Sequence, residues 1–222
     1  GVAAVGGFNA DQVKALDPLA MSGFKSDQVA GLDVTAVGGL TAAQMTALDP
    51  TAMAGFKSDQ VAGLDVTAVG GLTAVQMTAL DPTAMAGFKS DQVAGLDVAA
   101  VGGLTAAQMA AIDPAAMGGF KSDQVAGLDA AAVNGLTADQ MKAFGDSAIA
   151  GFKSDQIAGL DTAAITALDS AKVSNLAPTA VAGFSKLQLN SLDPNAMAGF
   201  KSDQVAGLDV TAVGGLTAAQ MT

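Results

Sequence analysis

Glutamate, arginine, histidine, cysteine, tryptophan and tyrosine are all missing from this 222-residue chain, so every acidic residue is Asp and every basic residue is Lys. Without cysteine there is no disulfide framework. Without arginine, and with a net charge of -11, the chain lacks the clustered cations that neutralise phosphates, which excludes nucleic acid as a partner. Long apolar runs are missing as well. Half of the residues are hydrophobic (50%), yet the longest uncharged stretches, such as positions 34–48, contain Gly, Thr and Gln. Such stretches are too short and too polar for a transmembrane segment. The apolar surplus therefore belongs in a protein core or against a neighbouring chain. An alphabet this narrow signals a repeat.

Every position divisible by eight, from Phe8, Leu16 and Phe24 onward to Leu216, is Leu, Phe or Ile. Three positions earlier, from Val5 and Val13 to Met221, stands Val, Met, Ile or Leu. Positions 25–56 match positions 57–88 with one difference, Ala43 against Val75, which superposes a 32-residue unit on the octad. That phase later shifts by two octads: the FKSDQVAGLD block reappears at Phe200, and Leu216 stands where the next Phe is due. A Gln recurs in every second octad through the shift, with Lys172 the one departure. These facts predict a physical rung of two octads, a 16-residue rung, with the 32-residue unit recording gene duplication. The whole chain, 1–222, reads as one continuous array of about 27 octads with a degenerate stretch at 134–195. It starts at Gly1 inside one repeat and stops at Thr222 inside another, so it reads as a segment of something longer.

An eight-residue pattern drifts around a continuous helix of 3.6 residues per turn, and a strand needs a period of two. One short helix per octad, followed by a bend, fits instead. Asp17-Pro18, Asp49-Pro50, Asp81-Pro82, Asp113-Pro114 and Asp193-Pro194 place Asp at an N-cap and Pro at the first helical position. Thr41, Thr73 and Thr105 precede Gln44, Gln76 and Gln108 by three, the spacing of a capping box. The Gly before many of the Leu and Phe residues predicts a left-handed helix terminus. Helices this short are stable only when packed. The expected fold is thus all-α: a slender solenoid of very short helices, two octads per rung, with a parallel β-solenoid as the alternative. Leu32, Val37, Leu40, Met45, Leu48, Met53, Phe56, Val61 and Leu64 form its expected structural core.

Asp17, Asp33, Asp49, Asp65, Asp81, Asp97, Asp113, Asp129 and Asp161 fall at 16-residue spacing, which would stack their carboxylates in one column able to gather calcium. Against this, hard-cation loops cluster several oxygens within a dozen residues, and helix capping accounts for the same Asp residues. The expectation is no cofactor, with calcium at that column as the one metal to test. Lys25, Lys57, Lys89, Lys121, Lys153 and Lys201 each stand two positions before an Asp and read as solvated surface charges. Catalytic residues are not expected: Ser, Asp and Lys recur in copies, with no unique acid and base constellation.

The octads LTAAQMTA and FKSDQVAG resemble the T-x-x-Q-V-x-A-L type repeats of large bacterial surface and adhesin-like proteins, over the whole chain. The same residues are locally similar to the L-T-P-x-Q-V-V-A-I opening of TAL-effector repeats, but those are longer paired helices with a base-reading loop, and this chain is acidic. The first resemblance implies an extracellular or cell-surface fibre, filament or adhesin stalk. Bare-ended rungs predict self-association into a homopolymer, with anchoring through regions outside this segment. A solenoid scaffold binding a protein or glycan is the alternative, its site falling in the degenerate stretch.

Overall fold

A computed structural model describes residues 5–221. Gly1 and Thr222, between which the repeat was traced, lie outside the described residues. Each octad folds as one short helix and a bend, and two kinds of octad alternate. One kind carries Gln at its fourth position and forms a helix of mostly six residues, such as Ala42–Ala47 and Ser58–Gly63. The other is capped by Asp and forms a helix of four, such as Val34–Val37 and Pro50–Met53, drawn into 3-10 form at Pro82–Gly87 and Pro114–Gly119.

Local chemistry explains where each helix starts. Asp49 Oδ1 accepts the Thr51 N–H at 2.9 Å, and Pro50 occupies the first helical position, where no amide hydrogen is needed. In the Gln octads, Thr41 Oγ1 accepts the Gln44 N–H at 3.3 Å and Gln44 Oε1 accepts the Thr41 N–H at 2.9 Å. Lys has no acceptor, so Lys-led octads recruit the Asp two positions on. Asp59 Oδ1 accepts the Gln60 N–H at 2.9 Å, while Gln60 Oε1 accepts the Lys57 N–H at 3.0 Å.

The helix ends depart from expectation. No described residue has positive φ, so the glycines do not form left-handed termini; the chain leaves the Ala42–Ala47 helix through extended Leu48 at φ -61°, ψ 134°. Glycine is required for close approach instead. A Cβ on Gly55 would lie 1.9 Å from the Ser26 carbonyl oxygen of the preceding turn. In the Asp octads this slot is always Gly except at Ala167. In the Gln octads the slot meets the start of an Asp-octad helix: Gly63 has Val34 against it, whereas Ala47 is tolerated where that helix begins with Pro18.

The coil itself is wider than a two-octad rung. The Ala42–Ala47 helix packs on Pro18–Met21 and on Val66–Val69, each three octads away, and the same spacing holds along the array. Hydrogen bonds between successive turns join positions 25 apart (Thr46 to Gly71) and 27 apart (Lys57 to Ala30), so a turn takes slightly more than three octads. The two-octad rung is therefore incorrect. Two helices this short leave the apolar side chains of each octad open at the sides, whereas three close around them. The 16-residue period records the alternation of octad kinds.

The result is an all-α solenoid with one core continuous from Val5 to Ala212. Leu32, Val37, Leu40, Met45, Leu48, Met53, Phe56, Val61 and Leu64 all lie in it, none more than 6% exposed. Burying one such side chain is worth about 1.5–3 kcal/mol, which is what holds helices too short to persist alone. No strand occurs among the described residues, which removes the β-solenoid alternative.

Two glutamine ladders run through this core. Gln76 keeps its Oε1 on the Thr73 N–H at 3.0 Å and donates from Nε2 to the Met45 and Leu48 carbonyls, both at 2.7 Å. Gln108 does the same to Met77 and Leu80, and so builds one ladder. Gln60, Gln92 and Gln124 build the other through Val29, Val61 and Val93. One amide thus caps its own helix and closes the end of the helix four octads earlier, so the 32-residue unit is a physical period as well as a duplication.

Candidate functional site

The outer surface is mostly a set of helix caps. Asp33, Asp65, Asp97, Asp129 and Asp161 each accept the N–H two positions on, at 2.8–2.9 Å, as do Asp17, Asp49, Asp81 and Asp113. The single column expected for these carboxylates does not form, because octads two apart in sequence are not neighbours between turns. Among the described residues no three carboxylates gather where a metal ion would be held. The Asp33, Asp49, Asp65, Asp81 and Asp209 carboxyls are held below the ordinary aspartate value, first by the hydroxyl of the Thr two positions on and then by its N–H.

Two lysines of the row reach backbone carbonyls. Lys57 Nζ donates to the Ala30 carbonyl at 3.1 Å and Lys121 Nζ to the Ala94 carbonyl at 2.8 Å, at the ends of helices one turn earlier. Among the described residues the ion pairs are confined to the degenerate stretch. Lys142 pairs with Asp139 at 3.6 Å on the surface, and Lys172 pairs with Asp146 at 3.6 Å and Asp169 at 3.7 Å.

Lys172 is the unusual member. It occupies a Gln slot, its side chain is 8% exposed, and its ammonium leaves the core toward two half-exposed carboxylates. Asp146 in turn stands one position after the place of a capping Asp, which is Gly145 here, so the Asp146–Ile149 helix has no side-chain cap. Beside this triad the core changes texture. Phe144 lies 5.5 Å from Phe120 with the rings tilted at 47° and meets Phe152 edge-on at 5.9 Å, and it is among the largest fully buried side chains.

Surface depressions are shallow grooves between turns. One of about 570 Å³ is lined by Ser58, Ala62, Phe88, Lys89 and Asp113. Another of about 340 Å³, in the degenerate stretch, is lined by Lys142, Thr166, Asp169, Ser170, Asp193 and Asn195. Sequence reasoning marked Lys172 only as a break in the Gln series; the signal that would have located the triad is the coincident shift of Asp to position 146.

Fold and surface together define a class, the tandem-repeat α-solenoid with a uniform flank. No family model matches the chain, and no curated protein matches it. No helix among the described residues is long and apolar enough to cross a membrane.

Proposed function

We propose that the chain is a structural array, a bacterial extracellular or cell-surface fibre, filament or adhesin stalk that sets distance by the number of its turns. One observation carries this reading: the core continues from turn to turn with two glutamine ladders, one of them interrupted at Lys172, while the flank mostly repeats the same caps. A structure of this kind extends by adding octads in pairs, with no change in the contacts already made. The reading assigns the chain no reaction and no cofactor.

Self-association belongs to the same proposal. The contacts that bury Val61 and Met77 present one repeating surface from turn to turn. A second copy presenting the same repeat matches that surface in shape and in hydrogen-bond spacing. Electron microscopy of the purified chain is expected to show rods that lengthen with concentration; short, monodisperse particles at every concentration would remove the homopolymer and leave the stalk.

The capping role of the Asp residues also predicts that calcium is dispensable. Melting followed by circular dichroism should be the same with calcium and with chelator. A melting temperature raised by calcium would contradict this.

The competing reading, a scaffold for a protein or glycan, rests on the groove beside Lys142 and Asn195. Excising positions 145–176, an even number of octads that keeps the alternation, separates the two in an attachment assay on the native surface protein. A stalk tolerates the loss; a binding module does not.

A further inference from the structure

We propose that Lys172, with Asp146 and Asp169, is a register key: an ionic contact that fixes which turn stacks on which where the repeat changes phase. The triad would play this part whether or not the chain forms a fibre.

Below the triad, like stacks on like. The Lys-led octads 57–64, 89–96, 121–128 and 153–160 carry Gln60, Gln92, Gln124 and Gln156 in one ladder, and the Thr-led octads carry the other. Above it the assignment is exchanged. Gln204, in the Lys-led octad 201–208, donates to the Val173 and Leu176 carbonyls at 2.8 and 2.7 Å, and those belong to the ladder that the Thr-led octads occupied. The octad 169–176, which carries Lys172, is the junction.

Such a junction invites a slip. If two octads looped out below it, octad 169–176 would stack on the Lys-led octad 121–128 instead of the Thr-led octad 137–144, and the Lys-led octad 201–208 above it would rejoin the Lys-led ladder. Every Gln fits every Gln slot, since each slot offers the same two carbonyls. A glutamine at 172 would therefore accept the shifted register.

Lys172 does not. It is the only charged residue in this slot, and Asp146 is the only acidic residue at the second position of an Asp-type octad, where all others are Pro, Val, Ala or Thr. The two unique residues meet, three octads apart, at 3.6 Å. If positions 145–160 looped out, Lys172 would face Ala130 in place of Asp146, with a buried ammonium short of a partner. Two favourable features are given up for the contact. The Met141 and Phe144 carbonyls lose the Gln amide that their equivalents have, and the Asp146–Ile149 helix loses its cap. Specificity gained at a cost in stability is the best-attested use of a polar group set in a core.

The test separates register from stability. Lys172→Gln restores the ladder residue, so its melting temperature should equal or exceed that of the unchanged chain. After refolding from denaturant, hydrogen-exchange mass spectrometry should show a second population in which a two-octad segment between 145 and 168 exchanges as open chain. Its fraction should rise at least about tenfold over the unchanged chain. Asp146→Asn should raise the same population while lowering the melting temperature. The proposal is overturned if both variants refold to the single exchange pattern of the unchanged chain, or if Lys172→Gln fails to fold.

Discussion

At the scale of the residue, two side-chain choices recur because of what lies across the turn, and each makes a prediction. Gly55 is confined by the Ser26 carbonyl, while Gly118, one position earlier in its octad, has nothing nearer than the Ala143 oxygen at 3.8 Å. Gly55→Ala should destabilise the array by about 1–3 kcal/mol through overpacking. Gly118→Ala should be neutral or stabilising by up to about 1 kcal/mol, since it restricts only the unfolded chain. Urea denaturation of the pair checks both. The capping carboxylates predict an acid response. Asp65 is held below its ordinary value chiefly by the Thr67 hydroxyl, so its folded pKa is depressed. Its contribution is present above the unfolded pKa and is lost as pH falls through the folded one, in the window below about pH 4. Thr67→Ala should move the Asp65 titration upward, as read by NMR.

At the scale of the element, the question is what lets helices this short persist. Propensity and caps set their starts, and the Asp-Pro and Thr-x-x-Gln signals made those starts legible in the sequence. The ends were not legible. Glycine before Leu or Phe has two physical uses, left-handed backbone and close approach, and only the neighbouring turn distinguishes them. The buried Gln was half legible: its reach to its own N-cap follows from spacing, but its bonds to carbonyls four octads back do not. Gln108→Ala tests that second half. It leaves the Thr105 N–H and the Met77 and Leu80 carbonyls without their partner in a site only 1% exposed. A loss of about 2–4 kcal/mol is expected by denaturation, several times that of a surface substitution.

At the scale of the whole molecule, the class of fold and the inward residues were legible because the octad register never slips. The width of the coil was not, because periodicity in a chain reports which units are alike and says nothing of which units touch. Units two octads apart are alike; units three octads apart touch, and units four octads apart share a Gln. The odd number makes every Gln octad pack on Asp octads, and the even number returns each Gln to a Gln octad. This explains why the two-octad phase shift near Lys172 leaves the fold intact: it preserves the alternation. The candidate site was legible only as a stretch of degenerate sequence, since the approach of Asp146 to Lys172 depends on that same coil width.

Alternation is the central claim, and deletion tests it most directly. Removing positions 57–72, one octad of each kind, should leave a cooperative unfolding transition with stability close to that of the unchanged chain. Removing positions 57–64, a single octad, places Asp octads where Gln octads belong for the rest of the array, and should abolish cooperative unfolding or lower the denaturation midpoint severely. Equal stability of the two deletions would contradict the account.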